Sequence, residues 1–269
     1  LERLGCPVTI VGVDEWGVVD PEAVAAAVTD ETAVVSVMWA NNETGVVQPV
    51  AEVAAAVREA SGKAVVHTDA VQAAVSEEVT AAEVDLLTVA AHKLGGPKGV
   101  GALVVRSGIP LEPVVHGGGQ ELGRRSGTHN VAGAVGLATA LELAVADRDR
   151  FRRDVGEARR RFEERLAEKV LGVVINAPKD RRLVQHSHVR IPGIRNETVL
   201  IRLDRAGVAA SAGSACQSGA SSPSHVLTAM GLTPQQSREC LRFSFGWTTR
   251  PEDGDELADA VVAAVDGPA

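Results

Sequence analysis

Two stretches decide the fold: Ala64-Val65-Val66-His67-Thr68-Asp69-Ala70-Val71-Gln72 and Asp85-Leu86-Leu87-Thr88-Val89-Ala90-Ala91-His92-Lys93. Each starts as a short apolar run and ends in residues able to carry chemistry. Runs of this length between turn signals read as strands, here Ala64 to Val66 and Asp85 to Val89. The rhythm repeats on either side. Val8 to Val13 is a strand-like β-branched run. Pro21 to Val28 is helix-like, with proline and an acid where helix N-termini prefer them. Ala33 to Trp39 reads as a buried strand, Val50 to Ala60 as a helix ending near Gly62, and Gly101 to Val105 as another strand. Alternation at this spacing implies βαβ units and a mainly parallel sheet, hence an α/β fold. Functional side chains in such sheets collect at the carboxyl ends of the strands, which points to Asn41/Asn42, Asp69 and His92/Lys93.

The character changes after Thr128. Val131 to Glu168 reads as one long helical stretch. Phe151, Val155, Ala158, Phe162 and Leu166 recur along it as an apolar stripe. Arg152, Arg153, Arg159, Arg160, Arg161 and Arg165 alternate with acids and read as a solvated face. Short strands follow at Val173 to Ile175 and Ser187 to Ile191, then a helix from Asn196 to Arg205, a strand at Leu241 to Phe245, and a terminal helix from Pro251 to Val265. The expected organisation is a large α/β domain over 1–130, followed by a connecting helix and a smaller α+β domain over 131–269.

Composition narrows the function. The 269 residues carry 35 acidic against 27 basic side chains, a net charge of −8, which argues against a generic nucleic-acid or anionic-membrane surface. No apolar run reaches the length of a membrane span, and Leu1 to Gly5 shows neither part of a signal peptide. Three cysteines, Cys6, Cys216 and Cys240, are too few for a disulfide framework and fit a reducing cytoplasm.

Four segments could carry chemistry. A lysine after a buried strand, near an aspartate that also ends a strand, could be a nucleophilic amine whose pKa burial lowers. The aspartate would suit the pyridinium nitrogen of pyridoxal phosphate. Taken alone, Asp69 and Lys93 read as a structural ion pair. His116-Gly117-Gly118-Gly119-Gln120-Glu121, followed by Arg124 to Thr128, could bring backbone and hydroxyl groups to a phosphate, or could simply be tight turns. Cys216 sits in Ser211 to Ser224, a stretch of small and polar residues with little to pack against. It is either a used thiol on an exposed loop or an incidental surface cysteine. Arg242, alternating with apolar residues, is a carboxylate fork or half of a buried salt bridge. His186 and His188 share a strand face without further ligands, so no metal site is expected.

Together these residues resemble the NifS/IscS-type cysteine desulfurases, pyridoxal-phosphate enzymes of fold type I in the class V aminotransferase family. The motifs carrying the resemblance are Ala40-Asn41-Asn42-Glu43-Thr44-Gly45-Val46-Val47-Gln48-Pro49, His67-Thr68-Asp69-Ala70-Val71-Gln72, Ala91-His92-Lys93 with Gly96-Pro97-Lys98-Gly99, the His116 to Thr128 segment, and Ser211 to Ser218. The resemblance implies an aspartate-aminotransferase-like fold and pyridoxal 5'-phosphate as cofactor. It implies that Lys93 binds the cofactor covalently and shuttles protons, and that Asp69 pairs with the ring nitrogen. Gln72 would bond the phenolic oxygen, with Asn42 near that oxygen and the substrate carboxylate. His92 would hold the phosphate, Thr128 would reach the phosphate across a homodimer, and Arg242 would clamp the carboxylate of L-cysteine. Cys216 would take the sulfur as a persulfide and pass it to an acceptor or scaffold protein, for iron–sulfur assembly or thio-modification.

Two departures from the family stand out. Ala90 occupies the place of a serine whose hydroxyl binds phosphate. The resemblance also implies a chain that begins late, without a phosphate loop and a ring-stacking histidine, since no histidine precedes Asn42. Weak cofactor binding by this chain alone is therefore expected. A selenocysteine lyase or other fold-type-I lyase, and an inactive scaffold or dimerisation module, are the competing expectations.

Overall fold

The computed structural model describes residue 3 and residues 5–213 and 223–267. Two sheets organise it. In the first, β1 (Val34–Met38), β2 (Val65–Asp69) and β3 (Leu86–Ala90) run parallel in that order, and β4 (Gly101–Val105) closes the edge antiparallel to β3. Helix α1 (Pro21–Ala27) starts on Asp20, whose side chain accepts from the Glu22 amide, and packs on α2 (Val50–Ala60). Val53, Ala54 and Val57 of α2 are fully buried against the sheet. The second sheet holds β5 (Val174–Ile175), β6 (His186–Arg190) and β7 (Cys240–Ser244), all antiparallel.

The long helical stretch is two helices, α3 (Val131–Ala146) and α4 (Arg148–Lys169), broken at Asp147. The Asp147 side chain pairs with Arg150 one turn into α4. The expected stripe of α4 is its buried face: Phe162 lies 4.9 Å from Phe243 and 6.0 Å from Phe245 between ring centroids. Burying rings of this size is among the larger apolar contributions to a core. Helix α5 (Asn196–Arg205) and the terminal α8 (Asp253–Asp266) complete the layer behind this sheet, with short helices α6 (His225–Ala229) and α7 (Pro234–Ser237) between them in sequence. Helix α8 lies along α4. Gly254 makes the contact possible, because a Cβ there would overlap the Ala158 carbonyl oxygen.

Some expectations fail. The 8–13 run forms no strand, and Ile10 is exposed; only Val13 takes part in an isolated bridge, with Val19. Strand β1 is not buried: Val34 and Met38 are exposed at the sheet edge. Arg159 departs from the solvated arginine face. It is largely buried, donates to the Leu183 carbonyl at 3.2 Å, and burial lowers its pKa. Among the described residues no helix is long and apolar enough to cross a membrane.

Candidate active site

The carboxyl ends of β1, β2 and β3 carry the expected residues. After β1, Asn41 closes an Asx turn: its Oδ1 accepts from the amides of Glu43 at 2.8 Å and Thr44 at 3.0 Å. Gly45, at φ +80°, lets this turn sit against β6, since a Cβ there would be 2.6 Å from the Cβ of His186. The Leu183 amide bonds the Gly45 carbonyl at 2.9 Å. A turn from the first sheet is thereby fastened to the second.

Asp69 is the last residue of β2, and its side chain accepts from the Val71 amide at 2.9 Å. Lys93 ends a short 3-10 turn, Ala91–Lys93, directly after β3. Both side chains are exposed, so the expectation of a buried lysine does not hold, because no described element covers the strand ends. The ion pair suggested by the two residues alone is also absent: neither takes part in a salt bridge among the described residues. Beside Asp69, His67 spans Ser36 Oγ at 2.8 Å and Thr88 Oγ1 at 2.9 Å, linking three strands by side chains. Burial pushes the His67 pKa down while the Asp69 carboxylate pulls it up.

Arg242, on β7, donates from Nη1 to the Asn42 carbonyl at 2.9 Å. His186 lies beneath them. Its burial, reinforced by the positive charges of Arg242 and Lys93, drops its pKa to about 3, so the ring is neutral at physiological pH. Asn42, Lys93, Arg242 and His186 thus share one neighbourhood. Gln72 is half-buried, and its carbonyl accepts from Gln185 at 3.1 Å. His92 is exposed next to Lys93. Thr128 is exposed at the end of the glycine-rich segment, where its carbonyl accepts from Arg125; no hydrogen bond joins it to the other candidates among the described residues. In that segment Ser126 Oγ donates to the Gly118 carbonyl at 2.6 Å, so this hydroxyl already has an internal partner. Cys216 lies outside the described residues. Of the other thiols, Cys6 is exposed, whereas burial pushes Cys240 up to about 12 and keeps it protonated.

Residue patterns alone give Glu43 no role of its own and weigh His186 and His188 only as metal ligands, which they set aside. The signal was present: an acid inside a turn otherwise built of Asn, Thr and Gly, and two imidazoles on one strand face. Both histidines are buried, and His186 Nδ1 and His188 Nε2 have no hydrogen-bond partner among the described residues. Among those residues no group of three or more His, Cys, Asp or Glu side chains could hold a metal.

The Aminotransferase class-V family pattern matches residues 1–257. The chain belongs to the class-V aminotransferase family. It is 41% identical over 265 residues to a cysteine desulfurase IscS of Clostridium botulinum, covering 97% of this chain and 66% of that protein. It is 41% identical over 259 residues to a cysteine desulfurase of Gluconacetobacter diazotrophicus, covering 96% and 64%. Among solved structures, a NifS-like protein superposes with a TM-score of 0.88 at 35% identity, over 97% of this chain and 68% of that one. DndA from Streptomyces lividans superposes at 0.75 with 32% identity, over 90% and 69%. This chain spans just under two thirds of the length of the curated relatives it matches.

Pyridoxal 5'-phosphate is the cofactor of this class-V family, whose fold is the fold-type-I α/β architecture. The donor set fits it. A carboxylate and an amine, each outside any described ion pair, stand at the ends of neighbouring parallel strands. They match the ring nitrogen and the aldehyde of that cofactor. Ala90, at the end of β3, offers no hydroxyl.

Proposed function

We propose that this chain acts as a cysteine desulfurase, converting L-cysteine to L-alanine with transfer of the sulfur to Cys216. The observation that carries the reading is the Asp69 and Lys93 pair, left free of each other at adjacent strand ends, in a chain 41% identical to curated cysteine desulfurases. When bound, the cofactor supplies an electron sink for cleavage next to the substrate's α-carbon. The Lys93 amine would hold it and move the proton at that carbon, while Asp69 would pair with the ring nitrogen. Gln72 and Asn42 would bond the phenolic oxygen, and His92 and Thr128 would hold the phosphate. The Arg242 guanidinium, steadied by the Asn42 carbonyl, clamps the substrate carboxylate. The Cys216 thiolate attacks the substrate sulfur. The carbon–sulfur bond breaks, a sulfur–sulfur bond forms, and the β-carbon takes up a proton, so cysteine and thiol become alanine and persulfide.

In this reading the chain divides into a cofactor-binding unit, 1–130, and a second unit, 131–269, that carries the cysteine segment. It works as a homodimer in the cytoplasm and hands its sulfur to an acceptor or scaffold protein, for iron–sulfur cluster assembly or thio-modification. Two variants test it. Lys93→Ala should lose the cofactor's bound absorbance band. Cys216→Ser should keep the band but form neither persulfide nor alanine, because a hydroxyl cannot accept the sulfur. An unchanged spectrum in the first variant overturns the role of Lys93. Alanine release at the parent rate in the second favours a lyase instead.

A further inference from the structure

The residues flanking Cys216 in sequence converge on a single buried carboxylate. Upstream, Ser211 exchanges both backbone hydrogen bonds with Arg242, at 3.1 and 2.7 Å. The chain then reaches Gly213, where a Cβ would lie 3.2 Å from Glu43 Oε2 and 3.4 Å from His188 Nε2. Downstream, Ser224 Oγ donates to the same Glu43 Oε2 at 2.7 Å. Ser224 also begins α6: its side chain accepts from the Leu227 amide, and its carbonyl accepts from Thr228 Oγ1 at 2.8 Å. Glu43, Ser224 and Gly213 are all buried.

A buried carboxylate is costly unless it is partnered. Glu43 takes part in no ion pair among the described residues; what reaches it is the Ser224 hydroxyl. His188 lies on the same side of Gly213, its Nε2 without a hydrogen-bond partner among the described residues. Asn176 Nδ2 can only donate, so at 3.0 Å it makes His188 Nδ1 the acceptor and leaves the ring proton on Nε2, the atom nearest Gly213. Glu43 itself is held rigidly, with its amide bonded to Asn41 in the turn that also presents Asn42.

We propose that Glu43 is a positioning residue whose carboxylate clasps both ends of the Cys216-bearing segment and fixes them to the turn that presents Asn42. The clasp fixes Gly213 and Ser224, the described residues that bracket Cys216 in sequence, relative to the turn that presents Asn42. Correct placement of a nucleophile is a large factor in rate, and a small displacement is expensive. This inference rests on the desulfurase reading above.

The test compares Glu43→Ala, Glu43→Gln and Ser224→Ala in the cofactor-loaded protein. L-cysteine should still perturb the cofactor absorbance in all three, with KM within about twofold of the parent, because Lys93 and Arg242 are untouched. Persulfide on Cys216, read by mass spectrometry after a single turnover, should form at least about tenfold more slowly in Glu43→Ala and Ser224→Ala. Glu43→Gln should recover most of the rate, since its amide oxygen still accepts from Ser224. Alkylation of Cys216 by iodoacetamide should change several-fold in the two slow variants, with exposed Cys6 and buried Cys240 as internal references. Parent-like persulfide rates and alkylation in both variants overturn the clasp. So does loss of the cofactor band together with the rate, which marks a general collapse. If the parent protein itself forms no persulfide from L-cysteine, the desulfurase reading fails, and the alkylation ratio alone decides the clasp.

Discussion

His188 is fully buried, and burial followed by the nearby Arg242 charge holds its pKa near 4. An unfolded chain would protonate this ring below about 6.5. Folding therefore excludes a proton that the unfolded state accepts. The stability associated with a neutral His188 is complete above pH 6.5 and is lost as pH falls from there towards 4. A shift of this size corresponds to on the order of 3 kcal/mol across that window. Urea unfolding of the parent and of His188→Gln, at about pH 7 and about pH 4.5, checks it: the variant should lose less stability on acidification. Equal pH slopes would show that the ring titrates freely. His186 obeys the same sign over a window reaching down to about 3, but it responds to the charges of both Arg242 and Lys93 and is a poorer probe. Neither behaviour was legible in the sequence, because burial of these rings depends on Gly45, which approaches from a distant part of the chain, and on Asn176 beside the paired strand β5.

At the scale of elements, the tightest crossing is that of α4 with α8. The Gly254 backbone rests on the Ala158 carbonyl, and Arg165 and Lys169 reach Asp259 at 2.7 Å along the outside. Those exposed pairs add little; the close backbone approach sets the geometry. Gly254→Ala must push the helices apart, and overpacking of this kind costs about 1–3 kcal/mol. The melting temperature should drop accordingly, while Gly246→Ala, where a methyl meets open space, should melt as the parent does. The apolar stripe of α4 was readable because helical periodicity is a local property. The same holds for α5, whose observed bounds, Asn196–Arg205, are those expected, and for the strand ends bearing Asp69 and Lys93. What local pattern could not carry was relational. The antiparallel direction of β4, the break at Asp147, and the exposure of β1 each depend on what lies across the sheet or beyond the turn.

At the scale of the whole molecule, α3 has Leu137, Ala140 and Ala144 inward, and its outer surface carries exposed Val131, Val135, Leu143 and Val145 with Glu142 as its one charged residue. A contiguous exposed apolar face marks an association surface. If the second copy of the proposed homodimer covers this face, replacing Val135 and Leu143 together by lysine should lower the sedimenting mass to that of one chain. An unchanged dimer would place the interface elsewhere. The fastening of the Asn41–Gly45 turn to the second sheet also bears on how the molecule is made. Arg242 meets the Asn42 carbonyl across 200 residues of sequence, and Ser224 meets Glu43 across 181. On a ribosome adding roughly 5–20 residues per second, about 10–40 s separate the emergence of Asn42 from that of its arginine partner. For most of that interval the β1 to β3 strand ends, with Asp69 and Lys93, are already synthesised, but β7 beneath them is not. Under the proposed desulfurase reading, the carboxylate clamp therefore arrives after the cofactor amine in biosynthesis, and a chain cut short before β7 would carry Lys93 without Arg242.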